Sequence, residues 1–189
     1  TSVLLAQVGG SRSLGLDVAG DLLDLGCGWG PIALDLALSA RDDAESSGGA
    51  TRRVWAVDLN ERAVDLVCRT AQRLDLPHLT ATTPEGVPPE VTFALIRSNP
   101  PIRVGKAALH DMLTTWLPRL AVGGRAELVV GKNLGADSLQ RWLSARLGDD
   151  QAADGQAETE AASRWPIAGT VTRLGSAKGF RVLVVHRTA

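Results

Sequence analysis

The segment Leu22-Leu-Asp-Leu-Gly-Cys-Gly-Trp-Gly30 passes without a break into Pro31-Ile-Ala-Leu-Asp-Leu-Ala-Leu38, and this junction limits the possible fold more than any other stretch. Leu22 to Leu25 is apolar enough for a buried strand, whereas residues 31–38 repeat apolar side chains at helical spacing behind a proline suited to a first helical turn. Between them, Gly26, Gly28 and Gly30 permit backbone conformations and close approaches that a side chain would block. A strand, a glycine turn and a helix in that order begin a parallel α/β sheet. Ligands of such sheets lie in a crevice outside the carboxyl ends of the strands.

The alternation continues. Arg53-Val-Trp-Ala-Val-Asp58 predicts a second strand, reached through the polar, glycine-containing stretch from Asp42 to Ala50, which reads as a surface loop. Asn60 is placed to cap a helix from Glu61 to Leu74 with acid in its first turn. Leu79 to Thr83 and Phe93 to Arg97 predict the third and fourth strands, separated by a break from Pro84 to Glu90. A helix from about Gly105 to Leu120 carries Leu109, Leu113 and Trp116 on one face; Gly123-Gly124 then turns into a strand from Ala126 to Val130. Ala136 to Leu147 is the last long helix, and Val171 to Leu174 with Phe180 to Val185 predict a closing antiparallel hairpin through Gly175 to Gly179. The expected architecture is a Rossmann-like α/β fold, a mostly parallel sheet with helices on both faces and a C-terminal antiparallel hairpin.

A chain of 189 residues fits one domain over its whole length, large enough to bury ~70% of the surface its unfolded form exposes. Residues 148–163 have an acidic excess and almost no large apolar side chains, so they read as a mobile loop inside that domain. Twenty Lys+Arg against 21 Asp+Glu leave a net charge of -1, which supplies no global basic field for nucleic acid. Any RNA affinity has to come from a local patch. Cys27 and Cys68 lack zinc-ligand spacing and read as small, buried or half-buried residues of a reducing compartment; no metal is expected. No apolar run approaches the ~20 residues of a membrane span, and Thr1-Ser-Val-Leu-Leu-Ala lacks the features of a cleavable leader, so a cytoplasmic location without membrane partners is expected.

Gly-x-Gly-x-Gly with Asp24 two residues ahead departs from the Gly-x-Gly-x-x-Gly/Ala spacing of dinucleotide sites, and the shift favours S-adenosylmethionine over NAD. S-adenosylmethionine has no pyrophosphate for a helix start to cradle. In this reading Gly26, Cys27 and Gly28 wall the crevice, Asp24 meets the ammonium end of the cofactor directly or through water, Asp58 accepts its ribose hydroxyls, and Leu59 and Asn60 flank the adenine.

Asn99-Pro100-Pro101-Ile102 ends the fourth strand and faces the same crevice, touching both cofactor and acceptor. The lone pair of an exocyclic amine is delocalised into its ring, which makes it a poor nucleophile. The Asn99 side-chain oxygen and the Pro100 carbonyl can each accept one N–H, favouring a pyramidal nitrogen with its lone pair toward the methyl donor. Two prolines fix two φ angles and remove two donors, so those acceptors are oriented before substrate arrives. Arg103 and Lys106 are placed to contact RNA phosphates, with Lys132, Lys178 and Arg181 on the same side, while His110 reads as a packing or surface residue.

These residues resemble the small-domain class I methyltransferases, the family that includes ribosomal RNA small subunit methyltransferase C. The resemblance runs from Thr1-Ser-Val-Leu-Leu5 through residues 24–32 and Asn99-Pro-Pro-Ile-Arg-Val-Gly-Lys106 to Lys178-Gly-Phe-Arg-Val-Leu183. It implies the class I methyltransferase sheet, S-adenosylmethionine as cofactor and methylation of an exocyclic amine. In the best-known branch that amine is guanine N2 of ribosomal RNA, with ribosomal RNA or the small ribosomal subunit as partner. Ile102 stands where enzymes acting on adenine or glutamine carry an aromatic ring, which disfavours those acceptors unless Trp29 supplies the stacking. An acid that contacts adenine after the third strand is replaced around Thr83-Pro84-Glu85, with Glu85 as its substitute. The family also implies sequence ahead of Thr1, so either the N-terminus is trimmed or the cofactor pocket is more open. Protein-glutamine, adenine-N6 or small-molecule amine transfer are the alternatives within this chemistry. Outside it stands a cofactor-binding but inactive RNA-binding or scaffold domain.

Overall fold

The computed structural model describes residues 14–100, 105–131, 135–148, 165–177 and 179–189. Among them β1 (Asp21–Leu25), α1 (Pro31–Ser47), β2 (Val54–Val57), α2 (Glu61–Arg73), β3 (Leu79–Thr82), β4 (Phe93–Ser98), α3 (Gly105–Trp116), β5 (Leu120–Gly131), α4 (Ala136–Leu147), β6 (Gly169–Ala177) and β7 (Phe180–Arg187) follow in chain order. The strands form a seven-stranded sheet in the order β3-β2-β1-β4-β5-β7-β6. Neighbours from β3 to β5 are parallel, and β7 is antiparallel to both β5 and β6. This is the Rossmann-like sheet with a closing hairpin expected from the alternation of strand and helix patterns.

Period-two alternation in the central strands explains why helices cover both faces. Leu22 and Leu95, paired in register, pack with Leu36 of α1 and Val67 of α2. Their neighbours Leu23 and Ile96, also in register, pack on the opposite face with Leu113 of α3 and Leu139 of α4. Each such fully buried aliphatic side chain contributes about 1.5–3 kcal/mol. The chain runs from β1 outward to β3, then returns to β4 on the other side of β1. That reversal is the switch point at which a crevice opens.

Two segments depart from the sequence reading. Residues 42–47 belong to α1 instead of a loop: the Ser46 and Ser47 hydroxyls donate to the Asp42 and Asp43 carbonyls, each at 2.7 Å, and the helix stops only where Gly48 adopts φ 69°. A helix end that faces solvent needs no apolar residues, so its composition resembles that of a loop. Gly123-Gly124 lies inside β5. Phe93 pairs with Leu120 and Leu95 with Arg125, so β5 bulges between these points, with Gly123 at φ 80°. The glycines make a turn within one strand, and the preceding α3 gives way to a short 3-10 segment over Leu117–Arg119. Beyond Gly148, the stretch read as a mobile loop lies outside the described residues, as do Thr1 to Leu5, Lys132 and Lys178.

Candidate active site

β1 and β4 are parallel neighbours in which Leu25 pairs with Ser98, and the Ser98 hydroxyl donates to the Leu25 carbonyl at 2.7 Å. The glycine loop and Asn99-Pro100 therefore leave the sheet side by side at its carboxyl edge. The loop is tied to β2, since the Gly26 and Cys27 N–H groups both donate to the Val57 carbonyl, at 2.8 and 3.0 Å. The Gly28 N–H donates to Asp58 Oδ2 at 2.9 Å, and the Asn60 N–H donates to Asp58 Oδ1 at the same distance. Asp58 thus holds the loop while each carboxylate oxygen keeps acceptor capacity for a ligand.

Two of the glycines serve different ends. A Cβ on Gly30 would lie 2.6 Å from Val67 Cγ2, so this glycine lets α2 pack against the loop. A Cβ on Gly28, at φ 55°, would meet nothing within 4 Å, which marks the side of the loop that faces open space. Trp29 and Leu59 are 65% and 83% exposed on this edge. Asn60 is exposed, and its side-chain oxygen accepts from the Arg62 N–H at 3.1 Å, as the cap of α2. Glu85 follows β3 in the segment Pro84–Gly86; its own backbone N–H and the Thr83 hydroxyl hold its carboxyl below the ordinary range.

Asp24 sits fully buried beneath the loop. Its Oδ2 accepts from the Ala33 N–H at 2.8 Å, capping the first turn of α1, and its Oδ1 has no hydrogen-bond partner. Burial raises its pKa to about 7; the Ala33 hydrogen bond and Arg97 oppose the rise, and Asp58 adds to it. Between the ordinary carboxylate range and about pH 7, the unfolded chain has released a proton that folded Asp24 retains, so the unliganded protein loses stability as pH rises through that window. The variant Asp24→Asn is expected to show a smaller fall in thermal midpoint between pH 5 and pH 8 than the parent. Identical falls in the two proteins would remove Asp24 as the cause. Burial likewise pushes the Cys27 thiol up to about 12, with Asp24 and Asp58 adding to it, so this cysteine is a neutral packing residue.

Arg97 carries a network that the sequence reading passed over. It stands between Asp24 and Glu127 in strand register, 3% exposed, and bonds Glu127 Oε2 through Nε at 2.8 Å and Asp35 Oδ2 of α1 at 3.0 Å. Arg125 holds the other Glu127 oxygen at 2.8 Å. The only sequence signal was a cation placed two residues before Asn99 inside an apolar run.

On the acceptor side, Asn99 is half-buried and Pro100 buried, while Pro101, Ile102 and Arg103 lie outside the described residues. A cavity of about 220 Å³ opens beside Pro100 between α3 and α4, with Lys106, Leu109, His110, Ser138 and Leu139 among its walls. Lys106 Nζ donates to Ser138 Oγ at 3.1 Å across its rim. Among the described residues, no group of three His, Cys, Asp or Glu side chains is arranged to hold a metal ion.

The profile of the family described as methyltransferase small domain matches residues 2–158. The Bacillus subtilis protein YbxB is 34% identical over 125 residues, which cover 65% of this chain and 58% of YbxB. Among solved structures, the 16S rRNA N2 methyltransferase RsmC of T. thermophilus, in complex with AdoMet and guanosine, superposes with a TM-score of 0.63 at 22% identity, covering 98% of this chain and 41% of that one. The Streptococcus mutans protein SMU.1697c, in complex with SAH, superposes with a TM-score of 0.61 at 15% identity and covers 99% of this chain and 98% of its own. The chain spans less than two thirds of YbxB and of RsmC, and the two structural likenesses establish the fold. With a match over most of its length, this chain belongs to the methyltransferase small domain family.

Proposed function

We propose that this S-adenosylmethionine-dependent methyltransferase transfers the methyl group to an exocyclic amine, guanine N2 of ribosomal RNA. The observation that carries the reading is the register of β1 and β4, which sets a glycine loop with paired acids beside Asn99-Pro100 at one edge of the sheet. The residues suit the cofactor. Asp24 retains a buried oxygen with no partner, matching an ammonium or a water that bridges to one; Gly28 leaves open space for a ligand backbone; Asp58 has acceptor capacity for ribose hydroxyls. Gly26 and Cys27 complete the wall, and Leu59 and Asn60 border the adenine.

The cofactor, when bound, supplies an electrophilic methyl on a sulfonium. Asn99 Oδ1 and the Pro100 carbonyl accept the two amine N–H groups and turn the nitrogen lone pair toward that methyl. Pro100 fixes its own φ, so the acceptors are aligned without reorganisation. Once methylated, the amine is acidic enough to lose its proton without a strong base. Pro101 and Ile102 complete the motif, and Arg103 and Lys106 take RNA phosphates. Support for RNA as the acceptor comes from RsmC, which shares the fold and is described as acting on 16S rRNA.

The test is transfer of labelled methyl from S-adenosylmethionine to ribosomal RNA, to small subunits and to ribosomal proteins, followed by nucleoside analysis. Label in N2-methylguanosine supports the proposal; label confined to protein, or to another nucleoside, replaces it. Asp58→Ala removes the acceptor of two backbone N–H groups as well as the ribose contact, and is expected to weaken cofactor binding by roughly 10- to 100-fold in calorimetry.

A further inference from the structure

Asp24, Arg97 and Glu127 stand in one row across β1, β4 and β5, and Ala56 of β2 continues the row on the other side of Asp24. Period-two alternation puts the three charged side chains on the sheet face that α1 covers. From that helix the Ala33 N–H donates to Asp24 Oδ2 and the Asp35 carboxylate takes Arg97. Asp24 thus has a guanidinium as its in-register neighbour and gains no hydrogen bond from it. Arg97 gives Nε to Glu127 at 2.8 Å and Nη1 to Asp35 at 3.0 Å, and Asp24 Oδ1 stays buried without a partner.

The surrounding charges favour a neutral Asp24. Among the described residues packed here, the carboxyl groups of Asp24, Asp35, Asp58 and Glu127 share the two guanidiniums of Arg97 and Arg125. Burial, then Asp24, Asp58 and Cys68 of α2, push the Cys27 thiol up to about 12, so the loop brings no further charge. A carboxylate taken out of water with one oxygen unbonded is costly, and the neutral acid avoids that cost. The rise of the Asp24 pKa to about 7 by burial agrees. A guanidinium bonded directly to Asp24 would keep it ionised and would compete with a cationic ligand. With Arg97 turned to Glu127 and Asp35, Oδ1 is left for a cation from outside the chain.

We infer that the empty site holds a proton on Asp24 and that cofactor uptake expels it, the cofactor's ammonium taking its place, with Arg97 as the positioning residue that sets how readily the proton leaves. The inference rests on the proposed place of Asp24 at the ammonium end of the cofactor. The O–H bond of the Asp24 carboxyl breaks, its electron pair stays on the carboxylate, the proton passes to solvent, and the ammonium keeps its own protons. Below about pH 7 the free protein carries the proton and the complex does not, so affinity falls as pH falls; above it neither carries the proton and affinity is level.

Calorimetric titration of the whole chain with S-adenosylhomocysteine, in buffers of different ionisation enthalpy, counts the protons released. The parent is expected to release close to one proton at about pH 6 and close to none at about pH 8, with Kd rising roughly tenfold per pH unit in the acid limb. Asp24→Asn should release none at either pH. Arg97→Met should move the pH of half-release up, and Asp35→Asn, at the partly exposed partner of Arg97, should move it down. The ligand 5′-methylthioadenosine, which lacks the amino-acid end, should bind with no release. S-adenosylhomocysteine bound at about pH 6 with no proton released overturns the inference and leaves the cofactor site standing. An equal release from Asp24→Asn assigns the proton elsewhere and overturns it as well. A half-release pH that moves in neither Arg97→Met nor Asp35→Asn overturns the part given to Arg97. Release with 5′-methylthioadenosine removes the ammonium as the trigger, and the proposed place of Asp24 falls with it. A folded parent that binds neither ligand ends the reading of the cofactor site and the inference together.

Discussion

Replacing Asn99 by Ala is expected to lower methyl transfer by roughly 10²- to 10³-fold while cofactor affinity changes by no more than about threefold. The expectation follows from where the residue stands. β4 delivers Asn99 beside the glycine loop, and the Ser98 hydroxyl pins the preceding residue to Leu25, so the side chain is presented from a rigid base. Loss of an oriented acceptor removes the alignment of the amine lone pair, which acts in the transition state, whereas the contacts proposed for the cofactor lie mainly on Asp24, Asp58 and the loop between β1 and α1. Single-turnover methyl transfer alongside calorimetry measures both quantities. A variant that turns over at the parental rate would end the role assigned to Asn99, and one that fails to bind cofactor would make it a structural residue of the loop.

The largest effect on stability is expected at Arg97. Its guanidinium, 3% exposed, bridges Glu127 on β5 and Asp35 on α1. Removing one partner of a buried pair costs ~3–5 kcal/mol, because the carboxylate left behind has lost its water without keeping its counter-charge. Arg97→Met is therefore expected to lower the thermal midpoint by roughly 6–20 °C. Glu127 keeps Arg125 and Asp35 is 35% exposed, so the loss falls toward the lower end of that range and rests on Asp35 and Asp24. The double variant Arg97→Met with Asp35→Asn should regain part of the stability. A midpoint within about 2 °C of the parent would show that the network is electrostatically neutral in its net effect. The substitution also tests the charge balance at the cofactor loop, because Arg97 restrains the rise in the Asp24 pKa. The pH at which Asp24 titrates should move upward in the variant.

Local signals carried much of the fold. Asn60 caps α2 as its position indicated, and α4 occupies Ala136–Leu147, the limits read from the sequence. Both are decided by contacts within a turn of the residue concerned. The end of α1 was illegible because the side chains at 42–47 are solvated and bond to carbonyls one turn back, a pattern that composition alone does not separate from a loop. The family, the glycine turn and the place of Asn99-Pro100 at the end of β4 were likewise legible, each carried by a short contiguous string. The network of Arg97 and the ring against which His110 packs were not, because both come from distant chain. Arg97 reaches partners 30 and 62 residues away, and His110 depends on Trp142 from the next helix. No periodicity encodes such meetings; they appear only once the sheet order has brought β1, β4 and β5 together.

The strand order β3-β2-β1-β4-β5-β7-β6 divides the molecule along the chain as well as in space. The run from β1 to β3 builds one flank, the run from β4 to β7 builds the other, and they share a single strand border crossed by Ser98 and Arg97. Substitutions that reshape the cavity between α3 and α4 leave the hydrogen bonds among Val57, Asp58 and the glycine loop untouched. Chains with this layout can inherit one half nearly unchanged while the other diverges, so a shared glycine loop is a poor guide to a shared acceptor.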